Sequence, residues 1–227
     1  MTQKLKWQKS SIYKSTLALK SLLEHLSAGF KDEIAHYRYI EPRSAEYAEP
    51  ETPVNDSLII ALKNKGVNKF FTHQTEGIDL IRKGHNIIVM TPTASGKSLI
   101  YNIPVLESIL NDPSSKSLYL FPLKGLEQDQ FKILREIAQD LDIAHPAEIY
   151  DGDTTAYRRK KIRGSFPNII FSNPDMLHLA INAFHTKWAE FFKNLKFVVI
   201  DEIHTYRGVF GSHVAQVLRR LRRICRY

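Results

Sequence analysis

Cysteine is nearly absent from this sequence. Cys225 is the single example in 227 residues, which excludes an internal disulfide and any zinc site built from several cysteines. A reducing, cytoplasmic setting follows from that usage. Long apolar runs are also missing. None approaches the ~18 residues that cross a bilayer, so no membrane partner is expected. The first acid, Glu24, comes only after Lys4, Lys6, Lys9, Lys14 and Lys20. That stretch has neither the compact apolar core nor the small-residue cleavage site of a secretory signal. No internal repeat or low-complexity tract occurs, which excludes a repeat array.

What is present suits a globular protein of one or two domains with a sizeable core. Hydrophobic residues make up 43% of the chain, which excludes wholesale disorder. The net charge is +8, from 32 basic and 24 acidic residues, and suits a polyanionic partner. Two basic clusters stand out. One runs Arg158-Arg159-Lys160-Lys161-Ile162-Arg163. The other comprises Arg219, Arg220, Arg222, Arg223 and Arg226, with Val214, Val217, Leu218, Leu221 and Ile224 at helical spacing. That second pattern is an amphipathic helix, and a solvated face opposite a core face accounts for its arginines.

The most informative stretch is residues 91–98, Thr-Pro-Thr-Ala-Ser-Gly-Lys-Ser. It follows the apolar run 86–90 and precedes apolar residues at helical spacing, from Leu99 to Leu110. Strand, tight loop and helix start are the parts of a phosphate-binding loop. Amides and dipole at a helix N-terminus favour an anion. Thr93, Ala94, Ser95 and Gly96 would line the loop. Lys97 would reach the β- and γ-phosphates of a nucleotide, and the Ser98 hydroxyl would ligate Mg²⁺. Thr91 stands where the strict pattern has glycine.

Asp201-Glu202-Ile203-His204 directly follows the apolar run 197–200. Such a run reads as a strand buried on both faces. Adjacent carboxylates at its carboxyl end are costly unless something charged sits there, and a Mg²⁺–phosphate complex explains them. Asp201 would hold the metal, mostly through water. Glu202 would orient and deprotonate an attacking water.

Residues 1–50 read as an appended region, with a helix over 12–26 and an extended linker over 41–53. The domain proper is taken as 51–227. Helices are predicted at 55–65, 74–83, 98–111, 124–140, 154–163, 174–183 and 212–225, and strands at 86–91, 116–121, 147–151, 168–172 and 196–201. Alternating elements imply an α/β fold, a parallel sheet covered by helices on both faces. Ligands in such sheets bind beyond the strand carboxyl ends, where both charged motifs fall.

From about residue 35 onward these motifs resemble the first RecA-like motor domain of superfamily 2 helicases. The similarity is greatest to the DEAD/DEAH-like branch of DNA repair helicases that includes the bacterial mitomycin-repair helicase and its fungal RecQ4-like relatives. Residues 91–98 resemble motif I, in which Thr often replaces the first glycine, and 201–204 resemble motif II. His73-Gln74 resembles a Q-motif, which implies that Gln74 reads adenine; a polar residue at a helix start is the alternative. Residues 121–130, 150–154 and 172–177 resemble the motifs that contact a nucleic-acid strand, and 205–213 the run most specific to the branch. The resemblance implies a P-loop NTPase that uses ATP and Mg²⁺. Lys124, Gly152, Asp153 and Asn173 would form a phosphate-backbone track for single-stranded DNA, with Arg158 adding a contact. Each alone also suits an ordinary loop or surface residue.

The motor reading carries two alternatives, an RNA helicase and a non-catalytic nucleic-acid-binding remnant. The resemblance also implies a Ser-Ala-Thr motif beyond Tyr227 and a second RecA-like domain with an arginine finger. The Ser-Ala-Thr strand would lie between the strands of motifs I and II. The domain is therefore expected to be incomplete at its C-terminus, with two strand edges unpaired in its own sheet.

Overall fold

The computed structural model describes residues 19–26, 28, 29, 44–92 and 95–226. Residues 19–26 are helical, as predicted there. Most of the 1–50 extension, and Thr93 and Ala94, lie outside the described residues. The chain separates into two units, Met1–Ser44 and Ala45–Tyr227, and the second carries the sheets.

Two short strands, β1 (Tyr47–Ala48) and β2 (Phe70–Phe71), pair antiparallel with Tyr47 opposite Phe71. Between them runs α1 (Asp56–Asn64), capped by the Asn55 side-chain Oδ1, which accepts from the amides of Ser57 and Leu58. The stretch predicted as a linker is thus docked. Its Glu51 amide donates to Asp79, and its Thr52 carbonyl accepts from Arg82. Both partners lie on α2 (Thr72–Arg82).

The rest alternates as expected. In order come α3 (Lys97–Asn111), β3 (Lys116–Leu120), α4 (Lys124–Asp140), β4 (Ala147–Ile149), α5 (Ala156–Ser165), β5 (Ile169–Ser172), α6 (Ala189–Lys193), β6 (Leu195–Ile200) and α7 (Gly208–Ile224). The four later strands form one parallel sheet in the order β4-β5-β3-β6. Successive side chains of a strand point to opposite faces, and both faces here are covered. Leu118, Leu120 and Ile170 pack with Leu177, Trp188 and Leu221 on one side. Tyr119, Ile169 and Phe171 pack with Val105, Ile109 and Leu134 on the other. This is the predicted RecA-like α/β architecture.

Two predicted elements differ. The helix expected at 174–183 is a longer segment of mixed pitch: a short α-turn, a π-helical stretch and a 3₁₀ run ending at Trp188. Phe184 leaves helical angles altogether (φ −114°, ψ 37°). The strand expected at 86–91 does not form. Ile88 is 81% and Met90 95% exposed, although a central strand should bury both. A strand exists only where a neighbour completes its ladder, and none does so among the described residues. The sheet ends at β6, which pairs only with β3 among the described residues. Two open strand edges were expected around the missing strand; the structure has one there, at β6, because 86–91 forms no strand.

Each backbone group left unpaired at such an edge costs ~1–3 kcal/mol where water cannot reach it. Residues 1–227 taken alone are therefore expected to be marginally stable. Differential scanning calorimetry tests this, and a cooperative transition of ordinary height would contradict it.

Candidate nucleotide and nucleic-acid site

The phosphate-loop candidate is held from below by Gln74, which is 2% exposed. Its amide oxygen accepts from the Phe71 amide at 2.9 Å, and its nitrogen donates to the Gly96 carbonyl at 3.0 Å. His73 sits 3.1 Å from the Ser95 carbonyl oxygen through Nε2. In this structure Gln74 therefore braces the loop with both ends of its amide. Gly96 caps α3 with φ +73°, and a Cβ there would collide with the Gln74 amide nitrogen. Glycine is required on both counts. Gly96→Ala is expected to cost about 1–3 kcal/mol, read as a lowered Tm; an unchanged Tm would contradict the brace.

Lys97 opens α3 and folds back on the loop, donating to the Thr91 carbonyl at 3.1 Å and the Pro92 carbonyl at 3.2 Å. Its ammonium is thus parked on neutral carbonyls, which an anion can displace. Ser98 is half-buried one residue on. One turn along α3, the Tyr101 hydroxyl donates to Asp201 Oδ2 at 3.4 Å. Burial first, then the nearby charge of Asp201, pushes the Tyr101 phenol far up, so it stays a donor. This contact joins the helix of the Lys97 loop to the acid pair after β6.

Asp201 Oδ1 accepts from the Glu202 amide at 2.9 Å. Glu202 adopts φ +48°, a left-handed conformation that a non-glycine residue holds only at a cost. Its carboxylate lies 3.3 Å from His204 Nδ1. The Tyr206 hydroxyl is buried without a partner among the described residues, and burial, with Asp201 second, pushes it up to about 12. The hydroxyl of Ser98 and carboxylate of Asp201 are hard oxygen donors, a set that fits Mg²⁺ with water and phosphate oxygens completing its shell.

The strand-track candidates share the carboxyl edge of the sheet, in loops that follow β4, β5 and β3. Asn173 caps the turn after β5 by accepting from the Met176 amide. Asp151 organises the loop after β4, accepting from the amides of Asp153 and Thr154. Lys124 and Asp153 meet, but as an ion pair with each other at 2.5 Å. Arg158 pairs with Glu148 at 2.8 Å. Arg159 donates to the Asp151 and Gly152 carbonyls and lies over the Tyr150 ring. A phosphate backbone would have to exchange these partners.

Glu127, in the first turn of α4, is buried. Burial, reinforced by Asp151 and opposed by Lys124, raises its carboxyl from near 4.5 to about 7. Between those values the folded protein holds a proton that the unfolded chain has released, so stability falls as pH rises through that window. Glu127→Gln is expected to flatten this fall in urea titrations across pH 4.5–7. A variant profile parallel to the wild type would contradict it.

Sequence reasoning missed Tyr101, which reads as one more apolar position on α3. It also missed an aromatic stack beside the loop. Tyr47 lies on Phe71 at 5.2 Å, and Phe71 on His73 at 5.7 Å. Such a surface can take a stacked base.

The profile of the family described as DEAD/DEAH box helicase matches residues 71–226. The chain is 47% identical over 209 residues to the uncharacterized ATP-dependent helicase YprA of Bacillus subtilis, covering 92% of the chain and 28% of that protein. It is 45% identical over 186 residues to the ATP-dependent helicase hrq1 of Schizosaccharomyces pombe, covering 81% of the chain and 17% of that protein. The solved structure of the DUF1998 helicase MrfA bound to DNA and AMPPNP superposes with a TM-score of 0.83 at 46% identity, covering 89% of the chain and 29% of MrfA. The chain thus spans less than a third of each of these three relatives. Among the described residues, no helix is long and apolar enough to cross a membrane.

Proposed function

The chain belongs to the DEAD/DEAH box helicase family, and on that premise we propose that it is the ATP-binding motor half of an ATP-dependent DNA helicase or translocase. The observation that carries this reading is the Tyr101–Asp201 contact, which ties the phosphate-loop helix to the acid pair.

ATP is the substrate. Its phosphates would lie over the start of α3, with the loop of Thr93, Ala94, Ser95 and Gly96 around them. Lys97 would exchange the Thr91 and Pro92 carbonyls for phosphate oxygens. Ser98 and Asp201 would hold Mg²⁺, which when bound neutralises phosphate charge. Glu202 would position a water in line with the γ-phosphorus and take its proton as the oxygen attacks. Gln74 would couple adenine binding to loop geometry, because the same amide braces Gly96. On the nucleic-acid side, Lys124 would leave Asp153 for a backbone phosphate. The Gly152 loop, the cap at Asn173 and Arg158 would continue the track along the sheet edge.

DNA is preferred over RNA because MrfA was solved with DNA. A non-catalytic remnant is disfavoured by the retention of Lys97, Ser98, Asp201 and Glu202 together. Rapid hydrolysis is not expected from these residues alone, since an arginine supplied from outside the site contributes about 10³–10⁵ in comparable NTPases.

Single-strand DNA affinity, measured with and without AMPPNP and Mg²⁺, tests the reading. A motor domain predicts that nucleotide changes the affinity and that Lys97→Ala removes the change. DNA binding indifferent to nucleotide would favour the remnant.

A further inference from the structure

The arginines of α7 do not all lie on a solvated face. Val214, Val217 and Leu221 form its buried side, and Arg219, Arg222 and Arg223, with Arg226 just beyond the helix, are exposed, as the amphipathic pattern predicts. Arg220 is half-buried, and Arg220 and Arg223 share one pocket. With His185 and Ile224 they line an open cavity of about 390 Å³ between α7 and the 3₁₀ run before α6. Two guanidiniums and an imidazole thus line one open surface pocket beside Ile224. Among the described residues, no carboxylate forms an ion pair with any arginine of α7.

At Phe184 the chain leaves helical angles, which turns the phenyl ring outward to 52% exposure. The next residue, His185, is held by its Nδ1, 3.3 Å from the Asn182 carbonyl oxygen. Nδ1 must donate there, so Nε2 of the neutral ring is left as an acceptor, suited to a hydroxyl or base N–H and not to a phosphate oxygen. Lys187 lies over the Phe184 ring at 5.3 Å, adding a cation beside an exposed aromatic face.

This surface is remote from the nucleotide edge. α7 runs back from the loop after β6, and its last turns pack with Trp188 and with Leu195, the first residue of β6. The cavity therefore sits at the amino edge of the sheet, whereas every motif described above lies at the carboxyl edge.

We propose that this amino-edge cavity is a second nucleic-acid contact, in which Arg220 and Arg223 take backbone phosphate, His185 Nε2 accepts from a sugar or base donor and Phe184 stacks a base. Clustered cations without carboxylate partners fit a polyanion. An exposed ring among them fits a single strand better than a bare phosphate chain. The contact requires no nucleotide, so it stands or falls independently of the motor reading.

The test is the salt dependence of single-strand DNA binding to the nucleotide-free chain. Each phosphate contact contributes a slope of about 0.7 for single strands. Arg220→Gln/Arg223→Gln is expected to reduce the slope by about 1.4, with AMPPNP affinity unchanged. Arg223→Glu, at an exposed position, is expected to weaken binding even if the double variant folds poorly. Phe184→Ala should weaken DNA more than inorganic polyphosphate. An unchanged slope and affinity in the arginine variants would overturn the site. Equal loss of polyphosphate and DNA in Phe184→Ala would overturn its assignment to nucleic acid.

Discussion

Glu202→Gln is expected to leave nucleotide binding intact and to lower ATP turnover by about 10²–10⁴, the range for removal of a positioned general base. The substitution keeps the shape of the side chain and removes its proton acceptor. Backbone position should survive, because the Glu202 amide, not its side chain, bonds Asp201. The left-handed φ of +48° is a backbone property that glutamine inherits. Turnover is measured in a protein that joins this domain to a second RecA-like domain, where the basal rate should be high enough to lose. AMPPNP affinity is measured beside it. A variant that hydrolyses ATP at the wild-type rate would remove Glu202 from the chemistry.

The second large effect belongs to Lys97. Lys97→Ala is expected to weaken AMPPNP binding by about 10²–10³, the cost typical of deleting one charged or dipolar donor from a preorganised oxyanion-type site. Among the described residues its Nζ donates only to the Thr91 and Pro92 carbonyls, so the fold should lose little, and the change should appear in affinity and not in Tm. The two variants separate binding from chemistry. Lys97→Ala should lose both, whereas Glu202→Gln should lose only the second. Equal AMPPNP affinity in Lys97→Ala and wild type would mean that the loop is not a phosphate site.

Local signals carried most of the fold. The helix predicted over 124–140 is α4 residue for residue, because its apolar spacing and flanking loops are complete in the sequence. The strands announced themselves as apolar runs, and β3 and β5 fill two cores with their opposite faces; the run 197–200, read as buried on both faces, instead leaves Val198 41% exposed because β6 is an edge strand among the described residues. The segment 86–91 has an equally apolar signal yet makes no strand. Its conformation depends on a neighbour across the sheet, and no local pattern reports whether one is present. The same limit hid β1 and β2, whose two-residue strands exist only as each other's partners. At Phe184 the chain keeps helical composition while its backbone turns away.

The site divides in the same manner. Lys97, Ser98, Asp201 and Glu202 could be proposed from sequence because each motif is contiguous and the chemistry proposed for it needs those groups side by side. Gln74 was visible as a residue, but not its hold on Ser95 and Gly96, which arises from packing α2 against the loop. Tyr101 was invisible for the opposite reason. A tyrosine on an apolar helix face reads as core, and only the fold shows its hydroxyl at Asp201. The pairing of Lys124 with Asp153 and of Arg158 with Glu148 was likewise unreadable, since each pair spans separate loops or elements.

The most direct test of the account is calorimetric titration of residues 1–227 with AMPPNP, with and without Mg²⁺, beside Asp201→Asn, on protein shown to be folded by circular dichroism. The account predicts saturable binding that Mg²⁺ strengthens, with the Mg²⁺ effect lost in Asp201→Asn. Binding that ignores both Mg²⁺ and Asp201, or no binding by the folded chain, would contradict it.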